Sequence, residues 1–483
     1  MRLGSICLAA FVVACVAGCR TTKDVLDDYE RNLLTGTYRE APGEAAELAA
    51  KGDDSSLLWH LLAGSGYYMA DDKANARTQF DAAEDAMQRN DASSVFAQGA
   101  QGGLAMMTND RSFPYDGGGQ DRIFTCLYKS IDYMCAGNVA AARTELNRAS
   151  QHQENWIWER RRDVDAAAQR MTADADAYAR KQEVQQTAGD RSQRTASVLA
   201  DASFCTQVRE KCGFDPATSG NLETLSAKDY MNVYAEHVCG VFRWLEGDDG
   251  RNYLKDVATL GAGNAVAARD FAEVDRGVRP SNQVWIWVED GLCPCREEWR
   301  IDLPLIIFPG VGRYVKYAGM ALPYLRERTW GAASWSVQAG GATVPMADLA
   351  NVDKLVKTEY DVYMRGALTR EITRTIVKVG AQIALGAAAD HTGDRNHRLA
   401  LQLSQLGVAT WAASTTAADL RSWTALPKSV KCVRIDRPAD GRIDVIADNQ
   451  RIQLAVPPGN SMVFLRKPGP QAMPVVKQVT FNR

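Results

Sequence analysis

Histidine is scarce in this chain. Five His in 483 residues leave little material for a zinc enzyme or a histidine triad. Neither sign of charge dominates: 56 Lys+Arg against 59 Asp+Glu give a formal charge of −3. A nucleic-acid binder needs a clustered positive surface, and this balance argues against one. With 38 Gly and 16 Pro, collagen-like and wholly disordered classes are also disfavoured, as is a polytopic membrane protein. Catalytic signatures are missing. There is no Gly-x-Ser-x-Gly elbow and no His-Glu-x-x-His helix. Gly310-Val311-Gly312 and Asp116-Gly117-Gly118-Gly119 lack the strand-loop-helix frame of a phosphate loop. Carboxylates are plentiful, but no spacing singles out an acid and a base. The expectation is a non-enzyme, with no catalytic, cofactor-binding or metal-ligating residues and no cofactor.

What is present starts with an address. Arg2 precedes an uncharged apolar stretch, Ile6 to Val16, too short for a spanning helix of ~20 residues. It ends in Val16-Ala17-Gly18-Cys19, which resembles a bacterial lipobox with Cys19 as the lipidation site. Residues 1–18 then form a lipoprotein signal peptide and 19–50 a tether. Arg20 stands where an aspartate would retain an enteric lipoprotein at the inner membrane. The expected location is therefore the outer membrane, lipid-anchored and facing the periplasm. Of 11 Cys, Cys7 and Cys15 leave with the signal and Cys19 is acylated. The remaining even number in an oxidising compartment leads to an expectation of disulfides. Cys205 and Cys212, separated by six residues, are the candidate pair. Cys126 and Cys135 share one predicted helix at ~13 Å, too far to bond.

At ~100–200 residues per domain the mature chain allows several folded units. The fold class read from the pattern is α+β multidomain. An irregular tetratricopeptide-like α-helical array is followed by a mixed region and a small antiparallel β domain. The array spans 51–283. Its first unit carries Gly64, Tyr67, Ala76, Phe80 and Ala83, and turns at Asp71-Asp72-Lys73. The second turns at Gly137-Asn138 after Tyr133, and the third at Gly247 to Gly250 after Trp244. A polar stretch at about 155–200, free of Pro, reads as a long helical arm.

Residues 284–428 form the mixed region: a hairpin from Trp285 to Leu303, then helices from Met346 and from Arg398 to about Trp423. Residues 429–483 read as five short strands of an antiparallel β module.

Several residues invite a recognition role. Arg421 and Trp423 sit at a helix-to-sheet junction, where they either meet an anionic ligand or cap carbonyls and fill a seam. Arg370 and Arg374, with Lys378, form a basic stripe for phosphate or lipid headgroups, or simply a solvated face. Trp285 and Trp287 share one strand face, as a sugar or peptide platform or as core. Trp156 and Trp158 point ~200° apart on a helix, so at least one must bury or meet a partner. Asp390, His391, Asp394 and His397 lack helical metal-ligand spacing.

Asp419-Leu420-Arg421-Ser422-Trp423, Leu426-Pro427 and Val456-Pro457-Pro458-Gly459 carry a resemblance. So do Glu289-Asp290-Gly291, Asp302-Leu303-Pro304-Leu305, Ala321-Leu322-Pro323 and Leu368-Thr369-Arg370. Over about 284–460 the chain resembles an uncharacterised family of bacterial outer-membrane-type lipoproteins, which join a tetratricopeptide-like front to a C-terminal β region. Related proteins occur beside lipoprotein activators of peptidoglycan synthases, so the resemblance implies a role in envelope assembly. The resulting expectation is a periplasmic scaffold or protein-interaction lipoprotein that holds an envelope protein or peptide in its helical groove. Its only membrane contact is the lipid anchor, and it binds no nucleic acid. The alternative is a cell-wall-active hydrolase or a glycan-binding lipoprotein using 284–483.

Overall fold

The computed structural model describes residues 22–96, 109–181, 191–261, 263–304, 308, 312–332 and 334–481. The expected lipidation site Cys19 and the expected signal peptide at 1–18 lie outside the described residues.

Helix α1 (Thr22–Thr35) places Val25, Tyr29 and Leu33 on one buried face, and α2 (Ala41–Ala49) buries Ala41, Ala45 and Ala49. The Tyr29 hydroxyl donates to the Leu62 carbonyl at 2.6 Å. Residues 22–49 are therefore docked helix where a tether was expected, because their apolar residues recur at helical spacing.

Three helical hairpins follow at the three expected turns. The first joins α3 (Ser56–Met69) and α4 (Lys73–Phe96); the second joins α5 (Gly119–Cys135) and α6 (Val139–Lys181). After α7 (Arg191–Leu199), α8 (Ala202–Cys212) and the single turn α9 (Ala227–Tyr230), the third joins α10 (Val233–Glu246) and α11 (Arg251–Leu260). Gly247 ends α10 in the left-handed region, φ 85°, while Asp248 N–H bonds back to the Arg243 carbonyl at 2.8 Å. Gly64 lets α4 come close: a Cβ there would lie 2.6 Å from the Phe80 ring. The expected arm at about 155–200 falls on the second part of the long α6 and on α7, with 182–190 outside the described residues. Helix α12 (Ala265–Asp275) completes the front half.

The hairpins do not stand as a separate array. Strand β1 (Gln283–Asp290) is buried along all eight residues, so it belongs in the middle of a sheet covered on both faces. It runs parallel to β10 (Asn460–Lys467) and antiparallel to β7 (Ser429–Asp436). With β6 (Ala347–Asn351) and β11 (Val475–Phe481) they make a five-stranded sheet ordered β11-β10-β1-β7-β6. The expected β1–β2 hairpin does not form: β2 (Cys295–Asp302) pairs instead with β3 (Gly319–Arg326). A third sheet, β5-β4-β8-β9, is built from β4 (Trp335–Ala339), β5 (Ala342–Pro345), β8 (Arg442–Ala447) and β9 (Gln450–Ala455). The last five strands thus sit close to their expected positions but divide between two sheets and cross the expected boundaries at 283 and 428.

Three hydrophobic cores organise this α+β fold. Trp285, Trp287, Met462 and Phe464 face the helices and share the first core with Phe80, Phe124 and Phe242. Val284, Ile286 and Val288 point the other way, onto Val337, Ile443 and Val445 of the four-stranded sheet. The third core surrounds α13 (Val352–His391), whose Leu368, Ile372, Ile376 and Val379 share it with Met320 and Leu322 of β3, Val198 of α7 and Phe204 and Val208 of α8. Helix α13 starts after β6, with the Asn351 side chain accepting from Lys354 N–H at 3.0 Å, so the expected start at Met346 moves by one short strand. Helix α14 (Arg395–Ser414) folds back along α13 and ends before Trp423.

Candidate functional site

Where the loop before α5 meets the first half of α13, the start of β2 and the segment 419–426, a cleft of about 260 Å³ opens. Its walls come from segments far apart in the chain.

One wall is a charge lattice. Asp110 receives two hydrogen bonds from Arg370, at 2.7 and 3.3 Å, and one ion pair from Arg374 at 2.7 Å. Burial alone would raise the Asp110 pKa, but the two guanidiniums overcome it and hold the carboxyl well below the usual range. Arg374 also bonds Glu371. Beside them Arg421 is clamped by Asp419 and donates to the carbonyls of Asp54, Phe113 and Asp110, at 2.8–3.1 Å. It pins the loop to the helical front.

A second wall forms around the glycine run. Gly118 caps α5, and a Cβ on it would lie 2.3 Å from Glu359 Oε2. A Cβ on Gly119 would lie 2.1 Å from the Trp156 indole. Only bare backbone leaves room for both side chains. Glu359 accepts from Gln120 N–H at 2.8 Å and from the Trp156 indole at 3.0 Å. Asp121 accepts from the Tyr115 hydroxyl at 2.7 Å and from Gly118 N–H at 2.8 Å. Burial pushes both carboxyls above their ordinary range. The Cys293 thiol, also on the cleft, is pushed up to about 12 by burial. It stays protonated at physiological pH.

Arg370 and Arg374 line this cleft as a paired network, and Lys378 is buried against Thr415 and Trp411. The stripe is thus no solvated face, because Asp110 arrives from 260 residues away to neutralise it. Arg421 and Trp423 also line the cleft. Arg421 does cap carbonyls, though in an extended segment beyond α14, and Trp423 donates to Ser65 Oγ at 2.8 Å in the core. Trp285 and Trp287 are fully buried and cannot act as a platform. Trp156 is buried, stacked on Tyr230 at 5.0 Å, while Trp158 is exposed.

Cys205 and Cys212 do not pair. They occupy one α-helix, ~10 Å apart by helical rise, beyond disulfide reach. The eight described cysteines are free thiols.

No described residues make a free metal site at 390–397. Asp394 caps α14 and Asp390 accepts from Tyr314 at 2.7 Å. Glu84, Cys126 and Glu145 converge elsewhere, but Lys129 already fills their centre, 2.9 Å from each carboxylate. A structural ammonium takes the place a metal would need.

Sequence reasoning missed Glu359, Tyr363 and Arg296. The glycine run was the available signal, since three consecutive glycines announce a close approach as much as a turn. Comparison with known proteins found no matching family model, no matching curated protein and no matching solved structure.

Proposed function

We propose that the chain is a lipid-anchored lipoprotein of the bacterial envelope that binds a ligand in this cleft without transforming it. The observation carrying the reading is the cleft's make-up. Aromatic walls and a few rigidly held polar groups converge where distant chain segments meet, as recognition sites do. The lipobox at Cys19 supports anchoring at the outer membrane, facing the periplasm. No helix among the described residues is long and apolar enough to cross a membrane.

A partner groove over the helical hairpins is a poorer choice, since the five-stranded sheet covers their inner faces. An envelope protein, peptide or glycan would instead offer a chain end to the cleft, whose volume is slightly below that of drug-sized pockets, ~300 Å³ and up. The hydrolytic alternative is weaker. Glu359 and Asp121 hold the loop through backbone and indole donors, which leaves no base beside a nucleophile.

Two measurements test the reading. Cys19→Ala should move the protein from the membrane to the soluble fraction, and continued full membrane association would overturn the anchor. Protein purified from its own envelope should carry a bound mass by native mass spectrometry. Val356→Trp, which fills the cleft, should lose that mass at an unchanged melting temperature. A bare wild-type protein would overturn the binding assignment.

A further inference from the structure

We propose that the cleft selects a ligand bearing an oxyanion, carboxylate or phosphate, beside a flat ring, and that Arg296 receives the anion. This rests on the ligand-binding reading above and names its ligand class.

Arg296 is the second residue of β2, and its cross-strand neighbour Leu325 lines the cleft with it. Its guanidinium carbon lies 4.2 Å from the centroid of the Tyr363 ring. A guanidinium lying over an aromatic face keeps its five N–H donors directed outward in its own plane. Among the described residues none of those donors has an acceptor: the Tyr363 ring is the contact Arg296 makes. The neighbouring arginines differ. Arg370 and Arg374 are spent on Asp110, and Arg421 on Asp419 and three carbonyls.

The charge faces the cavity. It offsets part of the burial that raises Tyr115, Asp121, Tyr360 and Tyr363, all of which line the cleft. The carboxylates Asp110, Asp121, Glu359 and Asp419 already accept from protein donors, so the fold leaves a fork of donors without its matching anion. Planar carboxylate and phosphate oxygens fit such a fork bidentately. Phe113 and Tyr115 supply the faces for a ring.

The experiment titrates the mature full-length protein with benzoate, phenyl phosphate and the neutral benzamide, by calorimetry. One of the two anions should bind about tenfold or more tightly than benzamide, the worth of a charge-assisted hydrogen bond. The stronger anion distinguishes carboxylate from phosphate. Arg296→Gln should remove that preference and leave benzamide binding unchanged, while Arg296→Lys should retain part of it, with melting curves confirming that both variants fold. Equal affinity for benzoate, phenyl phosphate and benzamide, or an Arg296→Gln protein that keeps the preference, would overturn the anion assignment and spare the cleft as a binding site. Binding of none of the three also overturns the assignment, and the native-mass comparison then judges the cleft separately.

Discussion

The indole N–H of Trp287 donates to Nδ1 of His237 at 3.1 Å, inside the core between the helices and the five-stranded sheet. With Nδ1 accepting, Nε2 carries the proton and donates to Asp270 at 2.8 Å. Asp270 also takes the Trp285 indole at 3.0 Å and Arg434 at 2.8 Å. A helix residue thereby ties two strands to a second helix. Asp270→Asn removes one of the two carboxylates on the buried Arg434, Glu273 at 2.6 Å being the other, and should cost ~1–3 kcal/mol. A urea midpoint within error of wild type would refute this account of the network.

Gly64 and Phe80 should behave as a coupled pair. Gly64→Ala places a methyl against the Phe80 ring and should cost ~1–3 kcal/mol through overpacking. Phe80→Leu in the Gly64→Ala background should cost less than Phe80→Leu alone, because the smaller side chain makes room. Strict additivity in chemical denaturation would argue against the close approach.

Glu236 sets a pH dependence. Burial pushes its pKa up to about 7, although the Gln153 side-chain amide donates to it at 2.6 Å. The folded state then binds a proton that the unfolded state releases near pH 4.5. Stability is fullest below that value, declines as the pH rises toward 7, and is flat above. The decline should amount to roughly 3 kcal/mol. Glu236→Gln should abolish it and be the more stable protein at pH 8, as read from denaturation midpoints across pH. A variant with the wild-type slope would exclude Glu236 as the source.

Mapping of peptides under non-reducing conditions should find Cys205 and Cys212 unlinked to each other. In denaturant both should react with a thiol reagent without prior reduction, since they lie on one helix. A Cys205–Cys212 peptide would require α8 to unwind.

How much was legible depends on range. The turns at Gly137-Asn138 and Gly247 to Gly250 announce hairpins because a glycine just past a helix end is a local requirement. Alternation likewise marks the strands near 442–455. The basic stripe on α13 misled because its acid, Asp110, sits on a loop before α5. Residues 22–49 looked like a tether because Val25, Tyr29, Leu33 and a few alanines give a faint stripe among many charges, which gains meaning only once Leu62 receives Tyr29. The cleft was invisible for the same reason. Arg296 and Tyr363 carry no spacing that relates them, and only the placement of β2 against α13 does so.

The amino-acid order by itself determined the helix hairpins, their turns, the apolar stripe of α13 and the strand segments. Each of these depends on neighbours within a few residues, where propensity and periodicity act. Tertiary structure decided which strands pair, that Trp285 and Trp287 face inward, which arginines are neutralised and which one is left facing the cavity. Those outcomes turn on burial and charge pairing between residues hundreds of positions apart, and the free energy of such contacts exists only once the chain has closed around them.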